Sequence, residues 1–187
     1  MKPAQAATSR DVNFGVTDAI QAAGRQAGTE QGRDWFEPAS AGEAAQLNLV
    51  PGQDVLVVER VRTADGKPVV LSRDILPARF LAEHVELADQ MLLRSMYEVL
   101  EKDLGIAIHH GVATFRPIRA DVTVARRLDI PSGEILLPIW QVDYDADGVA
   151  IVYSHEYHIA GAFDFKVHRR GPGRRVHFGY RLTRRSG

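Results

Sequence analysis

The sequence predicts an α+β domain: a six-stranded, mostly antiparallel sheet with flanking helices, built from two strand-helix-strand-strand repeats. Two observations carry this. The stretch Val57–Ile75 alternates apolar and polar residues around Asp65-Gly66, and Asp-Gly between two extended runs is a strong hairpin signal because both positions tolerate φ > 0. The pattern then returns in Val142–Ile159, where Asp147-Gly148 stands 82 residues after Asp65-Gly66 and Ile151-Val152-Tyr153-Ser154 matches Val69-Val70-Leu71-Ser72. Upstream, Leu47-Asn48-Leu49 with Gly52 matches Leu128-Asp129-Ile130 with Gly133 at an offset of 81, so one residue is inserted between Gly133 and Asp147. Two copies of one unit imply a pseudo-symmetric domain.

Taken in order, residues 1–13 are small, polar and unpatterned, and are expected to be disordered. The domain proper is expected over residues 14–168. Thr17–Ala23 reads as a short helix stopped by Gly24, and Gln26–Arg33 as a polar loop. Asp34–Ala39 is the first strand, and Ser40-Ala-Gly-Glu43 fits a capping box. The hairpin strands are Asp54–Thr63 and Lys67–Leu76. Pro77–Gln90 reads as a connector with a helical turn at Ala78–Glu83. Ser95-Met-Tyr-Glu98 suggests a second capping box, opening a helix that places Met96, Val99, Leu100 and Leu104 on one face and stops at Gly105. In the second repeat Thr114–Arg119 is a strand, Asp121 caps a helix over Val122–Leu128, and Ile135–Tyr144 and Val149–Ile159 form the hairpin. Phe163–His168 is expected to add an edge strand.

Composition excludes several classes. There is no cysteine, hence no disulfide framework, thiolate metal site or thiol nucleophile. No apolar run approaches a membrane span, and the N-terminus lacks a signal-peptide core, so a cytoplasmic protein is the expectation. From Lys166 onward there are eight basic and no acidic residues, which leaves −9 on the remainder against −1 for the whole chain. The tail 169–187 reads as a solvated terminus or a phosphate-contacting arm. His109-His110 and His155 with His158 are the only histidine clusters, and on a strand the last two point to opposite faces. No metal and no cofactor are expected.

Arg60 and Arg62 share one strand face. Guanidinium forks suit a phosphate or carboxylate, although the pattern alone favours a solvated surface pair. Ser95, Met96 and Tyr97 open the central helix, whose first N–H groups offer an anion seat beside the Ser95 cap.

These pieces resemble the UTRA domain, the effector-binding domain of the HutC subfamily of GntR-type bacterial transcription regulators. The matching residues are Ala44 with Leu47-x-Leu-x-x-Gly52, Arg60-x-Arg62-x-x-Asp65-Gly66-x-Pro68-Val69, Leu76-Pro77, and Ser95-x-Tyr97-x-x-Leu100-x-x-x-x-Gly105. They continue in Ala125-x-x-Leu128-x-Ile-Pro-x-Gly133 and Asp147-Gly148-x-x-x-x-Tyr153-Ser154, so the resemblance covers residues 15–168. It implies a chorismate-lyase-like fold, a homodimer, and a small anionic metabolite bearing phosphate, sulfate or carboxylate. It implies DNA contact only through a winged-helix domain that this chain does not carry, and no membrane. It assigns ligand contacts to Arg60, Arg62, Ser72, Ser95, Met96, Tyr97, Tyr153 and His158, with no catalytic residue. Two carboxylates common in relatives are replaced here by Val152 and Ser72, which favours a less polar or smaller anion. The competing readings are a chorismate-lyase-like enzyme acting on a small carboxylate, with Arg60, Arg62 and Glu156 as clamps and acid, and a solitary domain that titrates full-length regulators.

Overall fold

The computed structural model describes residues 15–162. Expectations for residues 1–13, for a strand at Phe163–His168 and for the basic tail lie outside the described residues. The order is α1 (Val16–Ala22), β1 (Ala27–Pro38), α2 (Ala41–Leu47), β2 (Asp54–Ala64), β3 (Lys67–Pro77), a 3-10 turn (Ala78–Leu81), α3 (Leu87–Leu93) and α4 (Met96–Glu98), which runs into a π-helical turn (Val99–Asp103). There follow β4 (His110–Phe115), β5 (Ile118–Arg119), α5 (Val122–Leu128), β6 (Ile135–Tyr144) and β7 (Ala150–Ile159). All pairings are antiparallel, in the order β1-β2-β3-β7-β6-β4, with β5 continuing β4 along β6. The fold is therefore the α+β sheet the sequence predicts, with the strand expected at Thr114–Arg119 broken at Arg116-Pro117, where proline lacks the ladder donor. Among the described residues no helix is long and apolar enough to cross a membrane.

The two repeats superimpose in kind, down to single hydrogen bonds. Ser40 caps α2 through the Glu43 N–H, and Glu43 reaches back to the Ser40 N–H, completing the capping box. Asp121 caps α5 through the Val124 N–H at 2.9 Å. Both helices end on a left-handed residue, Asn48 (φ 52°) and Asp129 (φ 52°), types that tolerate this conformation. The following N–H bonds back alike: Leu49 to the Ala44 carbonyl at 2.8 Å, Ile130 to that of Ala125 at 3.0 Å.

The inserted residue acts at the second hairpin. In the first, Asp65 (φ 52°) and Gly66 (φ 75°) form a tight two-residue turn, as a primed turn requires. In the second, five residues connect β6 to β7, only Gly148 (φ 79°) is left-handed, and the Asp145 carboxylate accepts the N–H groups of Asp147 and Val149. The same dipeptide thus makes two different turns.

Two departures concern the first half. β1 begins at Ala27, inside the expected loop, because Gln31 (φ 49°) and Gly32 form a bulge across which the ladder resumes. α3 was expected as connector; it has seven residues and no side-chain cap, so it owes its helix to packing Ala88 and Met91 into the core.

The sheet separates two cores. Under α3, α4 and the π turn lie Leu56, Val58, Leu76, Met91, Val99 and Leu100. On the other face α2 covers Val55, Val57, Ile75 and Val142, and α5 covers Val61, Leu71 and Leu136.

The backbone geometry sets two opposite glycine effects. Gly66→Ala is expected to destabilise by about 1 kcal/mol, since the left-handed turn penalises a Cβ. Gly42→Ala, inside α2 with nothing within 4 Å of the added carbon, should stabilise by roughly 0.5–1 kcal/mol. Paired urea titrations check both.

Candidate functional site

Strand register collects the polar side chains of the sheet interior on one face. Arg60 and Arg62 of β2 stand opposite Ser72 and Val70 of β3, and Asp74 stands opposite Ser154 of β7. Ser72 faces Glu156, Val70 faces His158, and Ser154 and Val152 face Gln141 and Asp143 of β6. This is also the face that packs against α3 and α4. The 81–82 offset orders the set: Ser72 and Asp74 correspond to Ser154 and Glu156, Arg60 and Arg62 to Gln141 and Asp143. One half supplies two cations where the other supplies an amide and a carboxylate.

Arg60 is fixed by structure. It is 6% exposed and donates to the carbonyls of Met91 and of Arg94 (3.1 Å) and to Asp74 Oδ2 (3.0 Å). Ser154 Oγ donates to the other Asp74 oxygen at 2.8 Å. Burial, with Glu156 nearby, pushes the Asp74 carboxyl above its usual range against the pull of Arg60. Arg60 therefore closes the α3–α4 junction onto the sheet.

Arg62 differs. It is 2% exposed, and among the described residues no carboxylate lies within ion-pair distance of it. Its donors go to two hydroxyls, Thr29 Oγ1 on β1 at 2.7 Å and Thr17 Oγ1 on α1. Burial, then the Arg60 charge, lower its pKa to about 10. Its Nε, the Arg60 Nε and the Ser72 hydroxyl are buried without a hydrogen-bond partner among the described residues. Such orphans are uncommon and ask for an explanation.

Tyr97 closes the β6 side. Its hydroxyl donates to Asp143 Oδ2 at 2.8 Å, while the Gln141 amide donates to Asp143 Oδ1 (2.7 Å) and to the tyrosine oxygen (3.1 Å). Burial and the Asp143 charge push the phenol well above its ordinary value, so it remains a donor. His158 Nε2 lies 2.8 Å from Glu156 Oε2.

The structure thus brings Arg60, Arg62, Ser72 and His158 onto one sheet face beneath the helix of Met96 and Tyr97. Met96 itself is a core side chain. Tyr153 does not join them. Five residues from His158, it faces the opposite side, packed under α2 and against His155 at 4.6 Å between ring centroids. His155 and His158 indeed part to opposite faces, and no group of three or more potential metal ligands occurs among the described residues.

The second capping box is absent. Ser95 makes no side-chain cap, and the Glu98 carboxylate, instead of reaching back to the Ser95 N–H, is bonded to Lys102 at 3.0 Å and to Arg94 at 3.3 Å, charge-assisted partners that outcompete a neutral N–H. Val152 and Ser72 stand where relatives often carry carboxylates, and Asp74, Asp143 and Glu156 occupy neighbouring positions of the same face. The signal that could have found Asp74 with Glu156, and Gln141 with Asp143, is the repeat offset applied to polar residues inside apolar strands.

This geometry separates the two arginines. Arg60→Met leaves Asp74 buried and unpaired and is expected to cost about 3–5 kcal/mol. The double variant Arg60→Met with Asp74→Leu should recover most of that loss. Chemical denaturation of the three proteins checks the coupling, and a fully additive double variant would refute it.

Comparison with known proteins gives the context. The chain resembles PhnF from Mycobacterium smegmatis at a TM-score of 0.74 and 26% identity, covering 86% of this chain and 70% of that one. The effector domain of the same protein matches at 0.71 and 27%, covering 82% and 93%. A GntR-family transcriptional regulator from Enterococcus faecalis V583 matches at 0.67 and 24%, covering 77% and 100%. These likenesses support a ligand-binding regulatory domain. The model of the UTRA domain matches residues 22–164, and the chain belongs to the UTRA domain family.

Proposed function

We propose that this chain is the sensing domain of a cytoplasmic GntR-type regulator of the HutC subfamily, that it binds a small anionic metabolite on the α3–α4 face of the sheet, and that it acts as a homodimer. The observation that carries this is Arg62: a buried guanidinium without a carboxylate partner among the described residues, diagonal across the β2–β3 ladder from the unpartnered Ser72 hydroxyl. A buried cation is costly unless something neutralises it. A phosphate, sulfate or carboxylate accepting from Arg62 and Ser72 supplies that charge and satisfies both groups.

Tyr97 and Asp143 then set the far wall, where a ligand hydroxyl or amine would meet acceptors. Arg60 supports the site from behind through Asp74. No catalytic step is assigned: Arg60 with Asp74, and Tyr97 with Asp143, are committed to each other. Binding favours one arrangement of the dimer, and through it one spacing of attached DNA-reading domains.

Calorimetric titration with phosphorylated, sulfated and carboxylate metabolites tests the reading. Arg62→Met should weaken the cognate anion by roughly tenfold to a hundredfold, the worth of a charge-assisted bond, without destabilising the unliganded protein. Arg62→Lys should recover only part, since an ammonium cannot fork. An affinity for the anion that Arg62→Met leaves within about twofold would remove the site from this face. Light scattering that gives a monomer would remove the dimer.

A further inference from the structure

The two edges of the sheet are built differently. β1, at one edge, carries Glu30, Arg33, Asp34 and Glu37, and its ladder shifts at the bulge between Glu30 and Arg33. Charges and bulges on an edge strand deter further pairing. β4, at the other edge, reads His110-Gly-Val-Ala-Thr-Phe115, with no carboxylate, lysine or arginine, and pairs with β6 in unbroken register. Val112 is 59% exposed, the highest value for a large apolar residue on any described strand. It stands opposite Val142, and Trp140 and Tyr144, on the same face of β6 to either side, are only half-buried. A regular, uncharged edge with apolar side chains is a template for another strand.

The chain contains a segment of matching character. Residues 176–182 read Val-His-Phe-Gly-Tyr-Arg-Leu, so Val176, Phe178, Tyr180 and Leu182 alternate with His177, Gly179 and Arg181. A period of two gives a strand one wholly apolar face. A strand of that kind buries its apolar face only by adding to a sheet. Arg174-Arg175 precede the segment and Arg184-Arg185 follow it, and all of them lie past the UTRA match.

The topology lets the two meet. β4 and β7 both pair antiparallel with β6, so they run in the same direction. β7 therefore ends at the end of the sheet toward which β4 runs, and a segment returning from there meets β4 antiparallel. Ala162 packs beside Val69 and Val70 of β3. From β3 to a position outside β4 is four strand spacings, roughly 19 Å. Residues 163–175 extend to about 43 Å, which is ample.

We propose that residues 176–182 pair as an antiparallel strand with the outer edge of β4 of their own chain, placing Val176, Phe178, Tyr180 and Leu182 on the face of Val112, Trp140 and Tyr144. The arginine pairs at either end then guard the new edge, so the sheet stops there and recruits no other chain. The basic segment is thereby assigned to closing the sheet rather than to contacting phosphates.

The chain has no cysteine, so introduced pairs form disulfides without competition. Residues facing each other on adjacent antiparallel strands lie about 4.5–5.5 Å apart at Cα, within disulfide reach. In the full chain, Val112→Cys is combined with Phe178→Cys and, separately, with Tyr180→Cys. Phe36→Cys on β1, with the same two partners, is the control. Mild oxidation should link one of the Val112 pairs within a single chain about tenfold faster than either Phe36 pair. Hydrogen exchange over residues 110–115 is the second readout. Phe178→Asp with Tyr180→Asp should speed it about tenfold while residues 54–77 keep the wild-type rate. Equal linking rates at Val112 and Phe36, or unchanged exchange in β4, overturn the proposal. Links that join two chains, seen on mixing isotopically labelled with unlabelled protein, or a Val112→Cys single variant that links to its own copy, place a second copy on the edge and overturn it as well. Should the aspartate variant unfold, the linking rates decide alone.

Discussion

The arrangement depends on one buried ion pair. Arg60 and Asp74 meet at 3.0 Å with about 7% of each side chain exposed, on adjacent strands in the middle of the sheet. Such a pair contributes little net stability, because desolvating two charges offsets their attraction. Its value lies in geometry. Asp74 also receives Ser154 from the other half of the molecule, and Arg60 also holds the carbonyls of Met91 and Arg94. Two strands of one repeat, the first strand of the seam with the other, and the helical layer are thereby fixed at a single point. With Arg60 committed to Asp74, Arg62 is the member of the pair without a carboxylate partner among the described residues.

Much of the fold was legible in the sequence, because the signals that matter are local and occur twice. Asp65-Gly66, Ser40 with Glu43, and Asp121 each dictate a backbone conformation within four residues, and the 81–82 offset lets each half corroborate the other. What escaped notice lacks local signals. α3 has no cap and is helical because Met91 finds a core. The first half of β1 is polar and interrupted at Gln31, so its strand character comes from pairing with β2. Ser95 carries the letters of a capping box, yet Arg94 and Lys102 claim Glu98 first.

The site was legible to a lesser degree, for a related reason. Alternation correctly placed Arg60 and Arg62 on one face, but the sequence cannot say which cation already has a partner. That depends on Asp74, fourteen residues on and across a ladder, and on carbonyls of a helix the sequence did not reveal. Tyr153 illustrates the same limit from the other side. Its motif position is conspicuous, but parity along β7 sends it to the face covered by α2, five residues from His158.

The π-helical turn after α4 has a further consequence, for the tolerance of this region to changes in length. There the Leu104 N–H bonds to the Val99 carbonyl, five residues back, whereas the Val99 N–H bonds to Ser95, four back. The turn thus accommodates one residue more than an ordinary α-helix needs. Both of its ends are pinned, by Arg60 at the Arg94 carbonyl and by Arg94 itself at Asp103. A chain one residue shorter here could close a regular helix between the same pins, with the sheet undisturbed. The Tyr97 ring, however, would rotate relative to Asp143. Chains differing by a single residue in this turn would then share a scaffold while presenting the Tyr97 ring to the sheet at different angles.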